Sequence, residues 1–178
     1  MLLGARVAVR AIEQGDLPLL QGWWSDVDHW HRMGEPARLL SLADVEDWYE
    51  AERDRVDPEE GRTLAIADSA GVILGTIQYG RIHPRDRSCE IGMFLGNRED
   101  RGKGFGTEAL SALLGHLFAD LGVHRVSLQV HPENAAAIRC YERAGFVREG
   151  TLREGRYFGG RFHDFLVMAL LAGEWKGD

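Results

Sequence analysis

Seven consecutive residues, Arg101-Gly102-Lys103-Gly104-Phe105-Gly106-Thr107, have the composition of a turn that can hold an anion. Glycine brings main-chain N–H groups close to an oxyanion because no Cβ stands in the way, and a helix starting at the turn adds the positive end of its dipole. Counting excludes two common phosphate loops. A Walker A loop has four residues between its first glycine and a Gly-Lys pair followed by Ser or Thr, whereas five separate Gly96 from Gly102, and Gly104 follows Lys103. A dinucleotide fingerprint counted from Gly102 requires a glycine where Thr107 stands. The pattern that remains is Arg-x-x-Gly-x-Gly from Arg101 to Gly106, against the alternative that the glycines only serve a turn.

Further along, Asn134 and Tyr141 are seven residues apart, which on a helix returns to within about 20° of the same face. An amide and a phenol would then share one wall. Asn134 also has the residue type of a helix N-cap, and Tyr141 that of an amphipathic core filler. His163 and Asp164 offer either an acid/base pair or a structural hydrogen bond on the last strand. His29 and His31 are two apart and cannot share a helix face, so no metal site is expected. Cys89 and Cys140 form no CxxC pattern, which indicates neither zinc nor a disulfide framework, and both are expected reduced and half-buried.

These groups need elements to position them. Val7 and Val9 alternate with charged or small residues as a half-buried strand, and Gly15-Asp16 breaks it and offers a helix cap. Leu17, Leu20, Trp23 and Trp24 follow at helical spacing, and Ser41 to Asp44 reads as a capping box that opens a second helix. Runs at 63–68 and 72–79 flank Ser69-Ala70-Gly71 as a hairpin, and 89–95 adds a third strand. Leu110, Leu113, Leu114, Leu117, Phe118 and Leu121 make a strongly amphipathic helix ended by Gly122. A strand at 126–130, a helix at 133–144 and strands at 146–153 and 161–171 complete the chain. The expected fold class is α/β: a mixed, mostly antiparallel sheet of about seven strands with about four helices on its faces, in one domain spanning 1–178.

The loop with its flanks, RGKGFGTEAL, closely resembles the acyl-CoA pyrophosphate loop of the GNAT superfamily of N-acetyltransferases, and Asn134 to Phe146 resembles the Asn…Tyr…Gly-Phe segment of the same superfamily. The stretch from Gly150 to Met168 is similar to the last hairpin of its Rim-type branch, which includes ribosomal-protein alanine acetyltransferases. The resemblance implies acetyl-CoA as cosubstrate, no metal, and a primary amine as acceptor that attacks in a ternary complex. It implies that the loop from Arg101 to Thr107 holds the pyrophosphate, that Asn134 touches the pantetheine arm, and that Tyr141 protonates the departing thiolate. It also pairs the 91–95 strand with pantetheine, so Phe94 and Leu95 would contribute through main-chain atoms, one N–H polarising the thioester oxygen. An ammonium has no lone pair, so a base or water relay must take its proton; Glu90, on the strand leading to the glycine loop, is the candidate, with an ion pair to Arg87 as the alternative.

A net charge of −7 disfavours nucleic acid, and no segment reaches the roughly 18 apolar residues of a membrane span. Arg6 and Arg10 interrupt the N-terminal apolar stretch, so no signal peptide is read and a cytoplasmic protein is expected. Between Asp44 and Glu60, nine acidic residues face Arg53 and Arg55, either as a solvated helix face or as an attractor of a cationic amine. The Rim-type likeness favours a protein N-terminus as acceptor; the acidic stretch suits a polyamine or aminoglycoside; a non-catalytic acyl-CoA-binding module is the third reading. Tryptophans 23, 24, 30 and 48 concentrate in the N-terminal helices, where one or two could line an acceptor cleft. A late edge strand leaves a homodimer open.

Overall fold

The computed structural model describes residues 1–177 apart from Val56, Pro58 and Glu59, and of Arg81 the backbone alone. In chain order the elements are β1 (Leu2–Leu3), β2 (Val7–Ala11), α1 (Leu17–Trp24), α2 (Val27–Met33), α3 (Leu42–Arg53), β3 (Arg62–Asp68), β4 (Ile73–His83), β5 (Ser88–Leu95), α4 (Phe105–Gly115), β6 (Arg125–Val130), α5 (Ala135–Arg143), β7 (Val147–Phe158) and β8 (Arg161–Leu171). One eight-stranded sheet has the order β1-β2-β3-β4-β5-β6-β8-β7. Every neighbouring pair is antiparallel except β5 and β6.

That exception creates the site. β5 and β6 pair only from Ser88 to Glu90 against Arg125 to Ser127. Beyond that point β5 continues along β4 to Leu95, and β6 continues along β8 to Val130. The sheet therefore forks immediately after Glu90, and the 91–95 segment has no β6 neighbour on that edge.

Strand alternation sends Ala65 and Ile66 to opposite faces, and a separate apolar layer covers each. On one face α4 buries Leu110, Leu113 and Leu114 completely, and the π-helical turn His116–Asp120 in which the expected helix ends buries Leu117, at about 1.5–3 kcal/mol of burial each, against Ile66, Ile77 and Val126. On the other, Leu17, Leu20 and Val45 of α1 and α3 pack on Ala65 and Ile73. The expected capping box of α3 is present: Ser41 Oγ accepts from Asp44 N–H at 3.2 Å, and the Asp44 carboxylate accepts from Ser41 N–H at 2.7 Å.

Several expectations are corrected. β1 is an eighth strand, too short for a periodic signal. Three helices, not two, precede β3, because Asp26 caps a seven-residue α2 that Gly34 ends at φ 74°. Asp16 occupies the N-cap position of α1 but makes no side-chain capping bond; its carboxylate accepts from Glu13 N–H at 2.9 Å and from Arg10 at 2.7 Å. Cys89 is fully buried rather than half-buried. β7 runs on to Phe158 through a bulge at which Glu154 takes φ 52°.

Candidate active site

The glycine loop closes the tip of β5 onto the start of α4. Gly102 and Gly104 take φ 77° and 93°, the left-handed region that side chains disfavour, and Gly104 is the N-cap of α4. The first main-chain bond into the helix is Glu108 N–H to Gly104 O at 3.1 Å, so the N–H groups of Phe105, Gly106 and Thr107 are the helix's orphan donors. Arg101 stands at the head of the loop and lines the cleft described next. Its guanidinium donates to Leu95 O (3.2 Å) and Gly96 O (2.7 Å), and its own N–H to Arg98 O, so it braces the loop against the strand tip. The Lys103 ammonium lies 3.6 Å from Asp100, outside the cleft, and the Phe105 ring packs into the core beneath Arg6. Neither of those two side chains lines that cleft.

A cleft of about 580 Å³ opens between this loop, the 93–95 segment of β5, α5 and α2. Phe94, Leu95, Gly102, Gly104, Gly106, Thr107, Asn134 and Tyr141 all line it, which brings together most of the sequence-predicted cofactor residues. Its charged side chains are Arg32, Arg101, Arg139 and Arg143; among the described residues no carboxylate lines it. Asn134 Oδ1 accepts from Ala137 N–H at 3.2 Å, so it caps α5 and faces the cleft together. Thr107 Oγ1 lies 3.4 Å from Cys140 Sγ and ties α4 to α5. Tyr141 is 5% exposed, and among the described residues its hydroxyl has no hydrogen-bond partner. Burial pushes its phenol pKa upward, as burial pushes the Cys89 thiol to about 12.

A second cleft, of about 630 Å³, lies between the sheet and helices α1 to α3. Its acidic lining is Glu35, Asp44, Glu60 and Glu90, and its aromatic lining Trp24, Trp30 and Trp48. Glu59 of the acidic stretch lies outside the described residues. Trp24 and Trp48 meet edge to face at 4.7 Å, and Trp30 Nε1 donates to Trp24 O at 2.5 Å. Four arginines, Arg38, Arg55, Arg62 and Arg156, line the cleft as well, and two are engaged: Arg156 with Glu35 at 2.6 Å, and Arg55 with Glu52 at 3.2 Å. Arg38 lies 4.7 Å over the Trp30 ring. Glu90 sits half-buried at the fork of the sheet. Arg87 is not its partner, since Arg87 Nε donates to Gly122 O at 2.7 Å.

The clefts share His29, Met33, Met93 and Phe94, so only this partition separates them. The sequence reading missed His29, Arg32 and Met33 because it missed α2. Its signal was Asp26 and Gly34 bracketing seven residues, too short for a helical period. Arg139 and Arg143 were legible as the face of α5 adjoining Tyr141. His163 and Asp164 do not form a pair. His163 Nδ1 lies 3.1 Å from His131 Nε2, a contact between β8 and the residue after β6, while Asp164 accepts from Glu154 N–H at 2.8 Å within the β7–β8 hairpin.

Comparison with known proteins gives the same picture. Residues 6–147 match the acetyltransferase (GNAT) domain family. An aminoglycoside N(6')-acetyltransferase type 1 from Klebsiella pneumoniae is 35% identical over 82% of this chain and 76% of its own. The crystal structure of spermidine N-acetyltransferase from Vibrio cholerae, in complex with CoA and spermine, superposes with a TM-score of 0.84 at 27% identity, covering 94% of this chain and 96% of that one. RimJ of Mycobacterium smegmatis, in complex with CoA-disulfide, shares the fold at a TM-score of 0.84 and 23% identity, over 97% of this chain and 85% of that one.

Proposed function

This chain belongs to the GNAT acetyltransferase family, and on that premise we propose that it transfers acetyl from acetyl-CoA to a small cationic amine. One observation carries the reading: two clefts meet at Met93 and Phe94, one lined by four arginines and no described carboxylate, the other by four carboxylates alongside four arginines. A polyphosphate fits the cleft that has four arginines and a helix N-terminus but no described carboxylate. An ammonium fits the one that has four carboxylates and three tryptophan rings, where Arg55 and Arg156 are held by Glu52 and Glu35 and Arg38 lies over the Trp30 ring.

The thioester supplies an activated acyl carbon; everything else falls to the chain. Gly102, Gly104, Gly106 and Thr107 cradle the pyrophosphate through main-chain N–H groups and the α4 terminus. The unpaired edge of β5 at Phe94 and Leu95 holds the pantetheine arm and offers an N–H to the thioester oxygen as charge develops there. Asn134 borders the same arm. Glu90, in the amine cleft, takes the ammonium proton directly or through water, because only the free amine has a lone pair. Tyr141 gives its proton to the departing sulfur. Its raised pKa keeps it protonated, and the burial that raises the Cys89 thiol to about 12 would raise a buried CoA thiolate likewise and narrow the mismatch between donor and acceptor. The same reading keeps the protein in the reducing cytoplasm, with Cys89 and Cys140 as free thiols.

A thermal-shift titration with acetyl-CoA, ATP and NAD tests the cofactor, since a ligand of the native state raises the apparent melting temperature. A rise with acetyl-CoA alone supports the reading; a rise with ATP or NAD instead refutes it. Thiol release on a panel of spermidine, an aminoglycoside and peptides with N-terminal Ala or Ser then separates the acceptors. Turnover of the first two supports the small-amine reading. Turnover confined to the peptides returns the protein to the Rim-type reading, and acetyl-CoA binding without turnover of any amine makes it a binding module. The exposed β7 edge is where a second copy would pair, and light scattering of the free protein tests it.

A further inference from the structure

Building on the assignment of the two clefts to thioester and amine, we propose that His29 is a catalytic residue: it accepts the proton of the attacking nitrogen and returns one to Tyr141. Three observations place it there. His29 lines both clefts, at the partition where the acyl carbon and the amine must meet. Its ring sits edge-on to Phe94 with centroids 4.4 Å apart, beside the β5 segment assigned to the thioester. It is only 5% exposed, and among the described residues neither ring nitrogen has a hydrogen-bond partner. Neither ring nitrogen is sealed from solvent, so the one donor and one acceptor of a neutral imidazole are open to what enters the clefts.

Glu90 cannot readily do this work. It lies four residues upstream of Phe94, about 13 Å along an extended strand. That position suits removal of the ammonium proton at the mouth of the amine cleft, before attack, and leaves the second nitrogen proton without an acceptor at the reacting centre. His29 meets that need. As the N–C bond forms, the proton on nitrogen passes to the free imidazole nitrogen. The C–S bond breaks with its electron pair on sulfur, and Tyr141 protonates the sulfur. The imidazolium then protonates the tyrosinate across the cleft that both line. Neutral amine and thioester become amide and thiol, and both side chains end as they began. The surroundings hold the ring neutral beforehand: burial, then Arg32 on the next turn of α2 and Arg101 of the glycine loop, lower its pKa to about 4 against the opposing pull of Asp26. An imidazolium formed there is poised to release its proton.

The test compares His29→Gln, Tyr141→Phe and the double variant with the parent chain, using whichever amine of the panel above gives the highest kcat. Glutamine keeps polarity and approximate size but does not titrate. The expected result is a fall in kcat of about 100-fold or more in His29→Gln, the range of general acid–base catalysis. KM for acetyl-CoA and the acetyl-CoA-induced rise in Tm should stay close to those of the parent, and the double variant should lose little beyond the worse single one. Imidazole at tens of millimolar should restore turnover to His29→Ala. A kcat within tenfold of the parent in His29→Gln overturns the proposal, as does an equal loss expressed wholly in KM. If Tyr141→Phe loses kcat and His29→Gln does not, His29 alone is wrong; if the parent turns over no amine, the reading of the clefts is wrong and this proposal falls with it.

Discussion

Replacing Tyr141 by Phe should separate catalysis from stability in a way few buried substitutions do. The ring fills the space between α5 and the core beside Phe146, with centroids 5.7 Å apart, and Phe retains all of that packing. The hydroxyl has no partner among the described residues, so its removal breaks no hydrogen bond and spares the folded state an incompletely solvated polar group. A satisfied buried hydroxyl would cost about 1 kcal/mol or more to delete, whereas here the change should lie between neutral and about 1 kcal/mol stabilising. For a chain of this size that is a Tm change between zero and an increase of about 2–4 °C. Turnover should move the other way. Loss of a general acid lowers kcat by about 10²–10⁴-fold, equivalent to about 3–5 kcal/mol of barrier. Because burial raises the phenol above its usual value, it stays protonated through neutral pH, and the parent-to-variant ratio of kcat should be constant from about pH 6 to 9. Differential scanning calorimetry and a thiol-release assay read the two quantities. A Tm drop of several degrees would mean that the hydroxyl is a structural bond, and an unchanged kcat would remove Tyr141 from the mechanism.

Three further outcomes are expected. Gly34→Ala puts a Cβ 1.9 Å from Cζ of Phe165 at a φ of 74°, so it should destabilise by about 2–4 kcal/mol in urea titration and, by displacing α2, raise KM for the amine. Gly102→Ala meets no atom within 4 Å, which leaves only backbone strain at φ 77° of about 1–2 kcal/mol; if the free loop relaxes to escape it, acetyl-CoA should bind about 5–30-fold more weakly by calorimetry, and unchanged affinity would mean that the loop is held regardless. His29 is neutral in the folded chain down to about pH 4 but titrates near 6.5 when unfolded, so its contribution is intact above about 6.5 and is lost as pH falls toward 4, by at most about 3 kcal/mol. Urea titrations of parent and His29→Gln across that window should diverge in slope; parallel curves would show that the ring is hydrated.

Elements with a long apolar period were legible in the sequence. The leucines of α4, the alternation of β2 and β6 and the capping box at Ser41 each reappear where the pattern puts them, because burial of one face fixes both register and period. Short elements were not: β1 has two residues and α2 seven, less than one reliable period, and both exist because the sheet edge and the partition between the clefts give them something to pack on. Arg101 shows the limit at the level of one side chain. Its place at the head of the glycine turn is read from the sequence, but that its guanidinium is spent on the carbonyls of Leu95 and Gly96 is seen only in the fold.

The sequence by itself determined the chemistry that the chain can offer: an anion-binding glycine turn ahead of an amphipathic helix, an amide and a phenol on one helix face, and a surplus of carboxylates near the N-terminal helices. Spacing along a chain encodes such local facts, since helix and strand periods translate directly into faces. Where those groups meet was decided only by the tertiary structure. The parallel pairing that lets go after Glu90, the placement of α2 across the fork, and the packing that sets His29 and Tyr141 beside the clefts are contacts between residues far apart in sequence, and no local period carries them.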